Sequence, residues 1–284
     1  MKHREGWLEF RHTKARGTSR LYRQSWLPDS ETRAAILLVH GLGEHSGRYN
    51  NLAAQCTARG YAVHTLDHYG HGKSDGMPGH VERFSVFVDG VRALRDDVRA
   101  TEPDLPLFLL GHSMGGLLAA TFLDEDQASF QGCVLSGPAL RSEAEPPALV
   151  MALVRAIAWL APTAPLLGLD PSGVSRDPDV VAAYVRDPLV HHGKLSARLI
   201  AEFTTASRNA LADAPGIRLP LLVMHGEDDK LTMPAGSREL YEKAGSTDKT
   251  LRLWPGLYHE IFNEPEKLEV IGEMLDWMDV IVPA

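Results

Sequence analysis

Three residue types spaced along this chain could carry nucleophilic chemistry together. Ser113 stands in Gly111-His112-Ser113-Met114-Gly115, a G-x-S-x-G pattern. Such a pattern places a serine on a sharp strand-to-helix turn with its hydroxyl exposed above a sheet. The pattern by itself is common, but here an apolar run at 107–110 precedes it, and small and apolar residues from Gly115 onward suit a packed helix. An acidic loop, Gly226-Glu227-Asp228-Asp229-Lys230, follows the apolar run 219–225, and His259 lies in a loop after the last apolar run, 250–254. The order is serine, acid, histidine, each past the C-terminal end of a separate expected strand, where ligands bind in open α/β sheets. The chain has 13 histidines, yet only His259 follows the final strand downstream of an acid loop. It has the position to take the Ser113 proton as the hydroxyl attacks an acyl carbonyl, and to return it to the leaving alcohol. The acid would fix the imidazole tautomer and stabilise the imidazolium. Residue spacing alone leaves Asp228 and Asp229 equivalent.

Such chemistry needs donors for the oxyanion. The expected strand 34–39 ends in His40-Gly41-Leu42-Gly43-Glu44-His45. Its glycines let backbone N–H groups face a ligand, so the Leu42 N–H is one candidate donor and the Met114 N–H the other. Water would resolve the acyl-enzyme, and no metal or organic cofactor is called for. The histidines and aspartates of 67–76 are interleaved with glycine and hydroxyl residues, which reads as turn chemistry rather than a metal site.

The elements that must position these groups follow from periodicity. Runs at 7–10 and 21–27 suggest an opening hairpin. Strands are expected at 34–39, 61–66, 107–110, 132–137, 219–225 and 250–254, and helices at 46–60, 84–101, from 115, 237–244 and 265–278. At 284 residues and 44% hydrophobic, the chain can form one large α/β domain with an insertion, or two ordinary domains, around a substantial core. The formal charge of −8 excludes a nucleic-acid groove and any general attraction to anionic lipid, which leaves a small-molecule partner. Cys56 and Cys133 sit among apolar neighbours and read as reduced core residues. The first residues are charged and lack the apolar region of a secretory signal, so a cytoplasmic protein is expected.

Between the sixth strand and 219 the alternation lapses for about eighty residues, the length of a functional insertion. Its expected entry is 143–147 and its exit 213–220. Within it Ala148–Leu160 is apolar on nearly every face except at Arg155. That helix either faces lipid or an acyl channel, or forms the insertion's own small core. Arg155, Pro162 and Pro165 leave too little for a membrane span.

The chain resembles the monoacylglycerol lipase family of α/β-hydrolases, close to the serine aminopeptidase and lysophospholipase group. The resemblance rests on His40-Gly41-Leu42-Gly43-Glu44-His45-Ser46-Gly47-Arg48-Tyr49, Gly70-His71-Gly72-Lys73-Ser74, Gly111-His112-Ser113-Met114-Gly115-Gly116, Asp187-Pro188-Leu189 and the acid and histidine loops. It implies a mostly parallel sheet of about eight strands flanked by helices, with a helical cap after strand 6. The core would comprise 1–136 and 216–284, and the cap 137–215. The family's acid stands three residues after the loop glycine, which selects Asp229. The resemblance also implies substrate contacts from Glu44, Arg48 and Tyr184 at the polar end of the pocket, and weak peripheral membrane contact through the cap. Phe262 departs from the family's second histidine at that position, which opens the choice of alcohol. Thr232 replaces the reactive cysteine of the vertebrate enzymes.

The expected activity is therefore hydrolysis of monoacylglycerols to fatty acid and glycerol through an acyl-enzyme on Ser113. A lysophospholipase or general carboxylesterase is the nearest alternative. A serine aminopeptidase or amidase, or an idle ligand receptor on the same scaffold, is more distant, because a fold does not fix its substrate.

Overall fold

A computed structural model describes residues 1–11, 18–141 and 147–282. A hairpin of β1 (Lys2–Arg11) and β2 (Thr18–Leu27) leads into β3 (Ala34–Val39), α1 (Asn50–Ala58), β4 (Tyr61–Leu66), α2 (Ser85–Thr101), β5 (Leu107–His112), α3 (Met114–Glu125) and β6 (Gly132–Ser136). The insertion follows, with α4 (Ala148–Leu160), β7 (Pro165–Leu167), α5 (Pro178–Arg186), β8 (Leu195–Ser196) and α6 (Ala197–Asp213). The chain closes with β9 (Leu221–Gly226), α7 (Pro234–Lys243), β10 (Lys249–Trp254) and α8 (Lys267–Ile281).

Eight strands form one sheet in the order β1-β2-β4-β3-β5-β6-β9-β10. The pairs β1/β2 and β2/β4 are antiparallel, and every other pair is parallel. The interior strands are buried on both faces, which is why they read as continuous apolar runs. Alternate residues serve opposite layers: Leu37 and Leu109 pack with Leu117 and Phe122 of α3 and Val91 of α2. Ile36, Leu38, Phe108 and Leu110 pack with Leu52 of α1 and Val270 and Met274 of α8. Both cysteines are buried and free.

The strand and helix expectations hold, with shifts at the ends. The hairpin extends beyond 7–10 and 21–27 because its ladder continues from Lys2↔Leu27 to Arg11↔Thr18 while much of β1 stays exposed. Backbone pairing, which hydropathy does not register, holds those residues. Ser46–Tyr49 forms a 3₁₀ turn before α1, and Gly60 ends that helix region at φ +83°. Of the expected entry 143–147, all but residue 147 lies outside the described residues.

The small antiparallel pair β7/β8 was not expected, since two and three residues carry no periodicity. The two sides of α4 differ. Ala158 is buried against Ala197 and Ala201 of α6, with Val154 and Ile157 partly buried beside it. Leu149, Val150, Leu153, Trp159 and Leu160 are exposed. Among the described residues no helix is long and apolar enough to cross a membrane.

Candidate active site

The turn from β5 into α3 carries Ser113 at φ 55°, ψ −117°. It is the one non-glycine residue at positive φ among the described residues. Such a backbone costs about 1–3 kcal/mol and persists only where its surroundings over-determine it. Here they do: the Ser113 N–H donates to Ser136 O at 2.9 Å, and the Ser113 carbonyl accepts from Leu117 N and Ala139 N at 3.1 and 3.0 Å. A Cβ on Gly115 would collide with the Val39 carbonyl, and one on Gly111 with the Gly115 carbonyl. Glycine at both positions lets α3 start against the sheet top.

His259 Nδ1–H donates to Asp229 Oδ2 at 2.7 Å. The same carboxylate accepts from the Leu231 and Thr232 N–H groups at 2.7 and 3.0 Å and from the Thr232 hydroxyl at 2.9 Å. His225 Nε2, 3.0 Å away, adds a further partner. Asp228 is exposed. Geometry thus pairs His259 with one of two aspartates that residue spacing left equivalent. Burial raises the Asp229 carboxyl, but the His259 charge and the hydrogen bonds from His225 and His259 outweigh it and hold the group well below the carboxylate range. Burial lowers His259, and Asp229 reverses this, so the imidazole lies above its ordinary value.

His259 lies against His112, the neighbour of Ser113, with ring centroids 4.7 Å apart. Gly137, just past β6, lets the pair approach: a Cβ there would lie 3.3 Å from His259 Nδ1 and 3.5 Å from Asp229 Oδ2. The loop after β3, the candidate oxyanion loop, closes on the other side, since a Cβ on Gly41 would lie 3.2 Å from the Ser113 Cβ.

That loop is held by its own side chains. The His68 N–H donates to His40 Nε2 at 3.0 Å, which leaves the proton on Nδ1 to be donated to Gly41 O at 2.8 Å. Gly41 O and the Leu42 N–H belong to one trans peptide, so anchoring the oxygen turns the N–H the opposite way. Glu44 Oε1 accepts from Gly41 N at 2.7 Å and from Tyr49 Oη at 2.6 Å. Neither the Leu42 nor the Met114 N–H is used in a turn or loop hydrogen bond among the described residues.

Glu44, Arg48 and Tyr184 do come together. Arg48 donates to Glu44 at 2.7 Å and to both oxygens of Glu260 at 2.6 and 2.7 Å, and its guanidinium lies 4.7 Å from the Tyr184 ring centroid. Burial opposes ionisation of Glu44, yet Arg48, His112 and His40 bring its carboxyl to about 2. Glu44 and Arg48 are thus committed to one another and to the loops. Phe262 is buried in the 3₁₀ turn Ile261–Asn263. Thr232, expected where relatives carry a cysteine, donates its hydroxyl to Asp229 at 2.9 Å. His45 and Asp187 stand in the motifs that carry the resemblance but had no role assigned, and His225 and Glu260 were not singled out. The His45–Asp187 and Arg48–Glu260 partners lie 142 and 212 residues apart, which no local pattern reveals, whereas His225 stands only four residues before Asp229.

Strand order, the strained serine turn and the histidine–carboxylate pair at the strand ends define an α/β-hydrolase. Residues 30–266 match the family described as serine aminopeptidase, S33. A monoacylglycerol lipase of Mycolicibacterium smegmatis is 40% identical over 262 residues, covering 92% of this chain and 94% of that one. The monoglyceride lipase of Mus musculus is 34% identical over 91% of this chain and 86% of that one. The crystal structure of a Paleococcus ferrophilus monoacylglycerol lipase superposes with a TM-score of 0.83 at 34% identity, over 92% of this chain and 99% of that chain. The chain belongs to the monoacylglycerol lipase family of α/β-hydrolases, and it is a hydrolytic enzyme.

Proposed function

We propose that this enzyme hydrolyses monoacylglycerols to fatty acid and glycerol, with Ser113 as nucleophile, His259 as general base and acid, and Asp229 as the residue that orients and stabilises the imidazole. The observation that carries this reading is the 2.7 Å His259–Asp229 bond, made at Nδ1, which leaves Nε2 to serve the serine. His259 takes the Ser113 proton as Oγ attacks the ester carbonyl. The Leu42 and Met114 N–H groups then hold the tetrahedral oxyanion, Met114 adding the N-terminal end of α3. Protonation of the leaving glycerol oxygen by His259 frees the alcohol. Water, deprotonated by the same imidazole, then resolves the acyl-enzyme.

The substrate class is supported by the named relatives and by the apolar insertion, which suits a single acyl chain better than a free amine. We assign 137–215 as a cap over Ser113, with the exposed residues of α4 resting on the lipid surface that supplies substrate. In a chain of charge −8 such contact comes from apolar burial and not from attraction to anionic headgroups.

The test is a fluorophosphonate probe with substrate turnover. The parent protein labels and Ser113→Ala does not, while remaining folded; a labelled Ser113→Ala protein would refute the nucleophile. Side-by-side rates should favour monoolein over triolein, lysophospholipid and aminoacyl amides. Equal rates on monoolein and triolein, or faster turnover of lysophospholipid, would refute the substrate class.

A further inference from the structure

The insertion is tied to the core at the two loops that surround Ser113. At the histidine loop, the Glu260 N–H donates to Val174 O at 2.8 Å. At the oxyanion loop there are two ties. The His191 N–H donates to Gly43 O at 2.7 Å, and His45 Nε2 lies 2.9 Å from Asp187 Oδ2. Between these points runs α5, whose Tyr184 covers Arg48.

Direction is defined at the His45–Asp187 contact. The Gly47 N–H donates to His45 Nδ1 at 3.2 Å, so the neutral ring carries its proton on Nε2 and donates it to Asp187. The other Asp187 oxygen accepts the Leu189 N–H at 2.9 Å, which fixes the carboxylate rotamer. Leu42 therefore sits between two anchored residues. Gly41 is held from the core by Glu44, and Gly43 from the insertion by His191. Gly43 adopts φ +79°, and a Cβ there would already touch His191 O, Leu169 Cδ1 and Tyr184 Oη at 3.6–3.7 Å. The loop and the insertion are thus separated by no more than a methyl group beside the hydrogen bond from His191 to Gly43.

We infer that Asp187 is a positioning residue for the hydrolytic step: acting through His45, it keeps the insertion in register with the oxyanion loop, so that the Leu42 N–H is aimed only while this part of the insertion is docked. The physical reason is preorganisation. A donor stabilises a developing oxyanion because it does not have to reorient as charge forms. The insertion thereby serves the chemistry as well as enclosing substrate.

This inference rests on the assignment of Ser113 and Leu42 above, and the experiment separates the two. His45→Asn keeps an acceptor for the Gly47 N–H but has no donor that reaches Asp187. His45→Gln loses that acceptor and places an amide N–H near the former Nε2. With a short soluble p-nitrophenyl ester, Asp187→Ala and His45→Asn should lower kcat about 10-fold, less than the 10²–10³ of deleting a donor outright. KM should stay within about twofold, the mark of an interaction made only in the transition state. His45→Gln should recover most of the loss. A purely structural role would lower melting temperature in step with activity, and would not rank Gln above Asn. Parental kcat in Asp187→Ala, or Gln no better than Asn, overturns the inference while leaving the nucleophile intact. If Asp187→Ala does not fold, the His45 pair decides. Labelling of Ser113→Ala would instead remove the reading on which it rests.

Discussion

Arg48 chelates Glu260, the residue that follows His259 in the chain, through Nη1 and Nη2 at 2.6 and 2.7 Å. Through Nη1 it also holds Glu44, whose other oxygen anchors Gly41 of the oxyanion loop. One guanidinium thus joins the loop of His259 to the loop that carries Gly41 and Leu42. All three side chains are at least nine-tenths buried.

Breaking this bridge should be costly, because removing one partner strands a buried charge. Arg48→Met is expected to lose about 3–5 kcal/mol in chemical denaturation. Arg48→Lys should lose less but still lower kcat, since an ammonium cannot reproduce a planar two-pronged contact. Parental stability in Arg48→Met would show that the bridge contributes no net stabilisation.

Asp229→Asn should preserve the fold and lower kcat by about 10⁴, as expected when the wrong imidazole tautomer is favoured. Asp228→Asn should have little effect. The pH dependence gives a second check. His259 lies above its ordinary value because of Asp229, and the base is lost as pH falls through that raised value. In Asp229→Asn the acid limb of kcat/KM should move to lower pH. An unmoved limb would mean that another group controls it.

Acid stability should respond to the histidines packed behind the oxyanion loop. His68 is held well below its ordinary value, first by burial and then by His40 and His71; His71 is pushed to about 3 by burial and then by His40. These rings are neutral when folded and protonate readily when unfolded. Their contribution is therefore complete above about pH 6.5 and is lost as pH falls toward the folded values, by about 1.4 kcal/mol per pH unit per histidine. Neither His68 ring nitrogen has a hydrogen-bond partner among the described residues. His68→Phe should accordingly gain stability over the parent as pH drops from 6.5 to 5, measured by urea denaturation. Parallel curves would contradict this account.

The two faces of α4 should separate by mutation. Leu153 is 60% exposed, whereas Ile157 packs against the α6 contact. Leu153→Asp is expected to keep its melting temperature and its kcat on a short soluble ester while raising apparent KM for dispersed long-chain monoacylglycerol. Ile157→Asp should lose stability and both activities together. Equal behaviour of the two variants would remove the case for a lipid-facing side.

Periodicity and local chemistry made much of this protein legible in its sequence. Interior strands such as Ala34–Val39 and Tyr61–Leu66 are buried on both faces, so their apolar runs mark their ends without tertiary knowledge. The turn at Ser113 was legible because a strained turn demands glycines at fixed offsets, and His259 stood out because it follows the last strand. Long-range pairing was decided elsewhere. Asp228 and Asp229 are chemically identical neighbours, and only the fold aims one at His259 and leaves the other in solvent. Glu44 and Arg48 were expected at the polar end of a pocket, yet Glu260, 212 residues from Arg48, commits the arginine to a loop bridge. Asp187 and His45 are 142 residues apart, and neither sequence neighbourhood implies the other. The exposed side of α4 was equally hidden, because a helix apolar on almost every face has no stripe to reveal which side α6 will cover. Composition sets what each segment can bury; which partner buries it is a property of the closed chain.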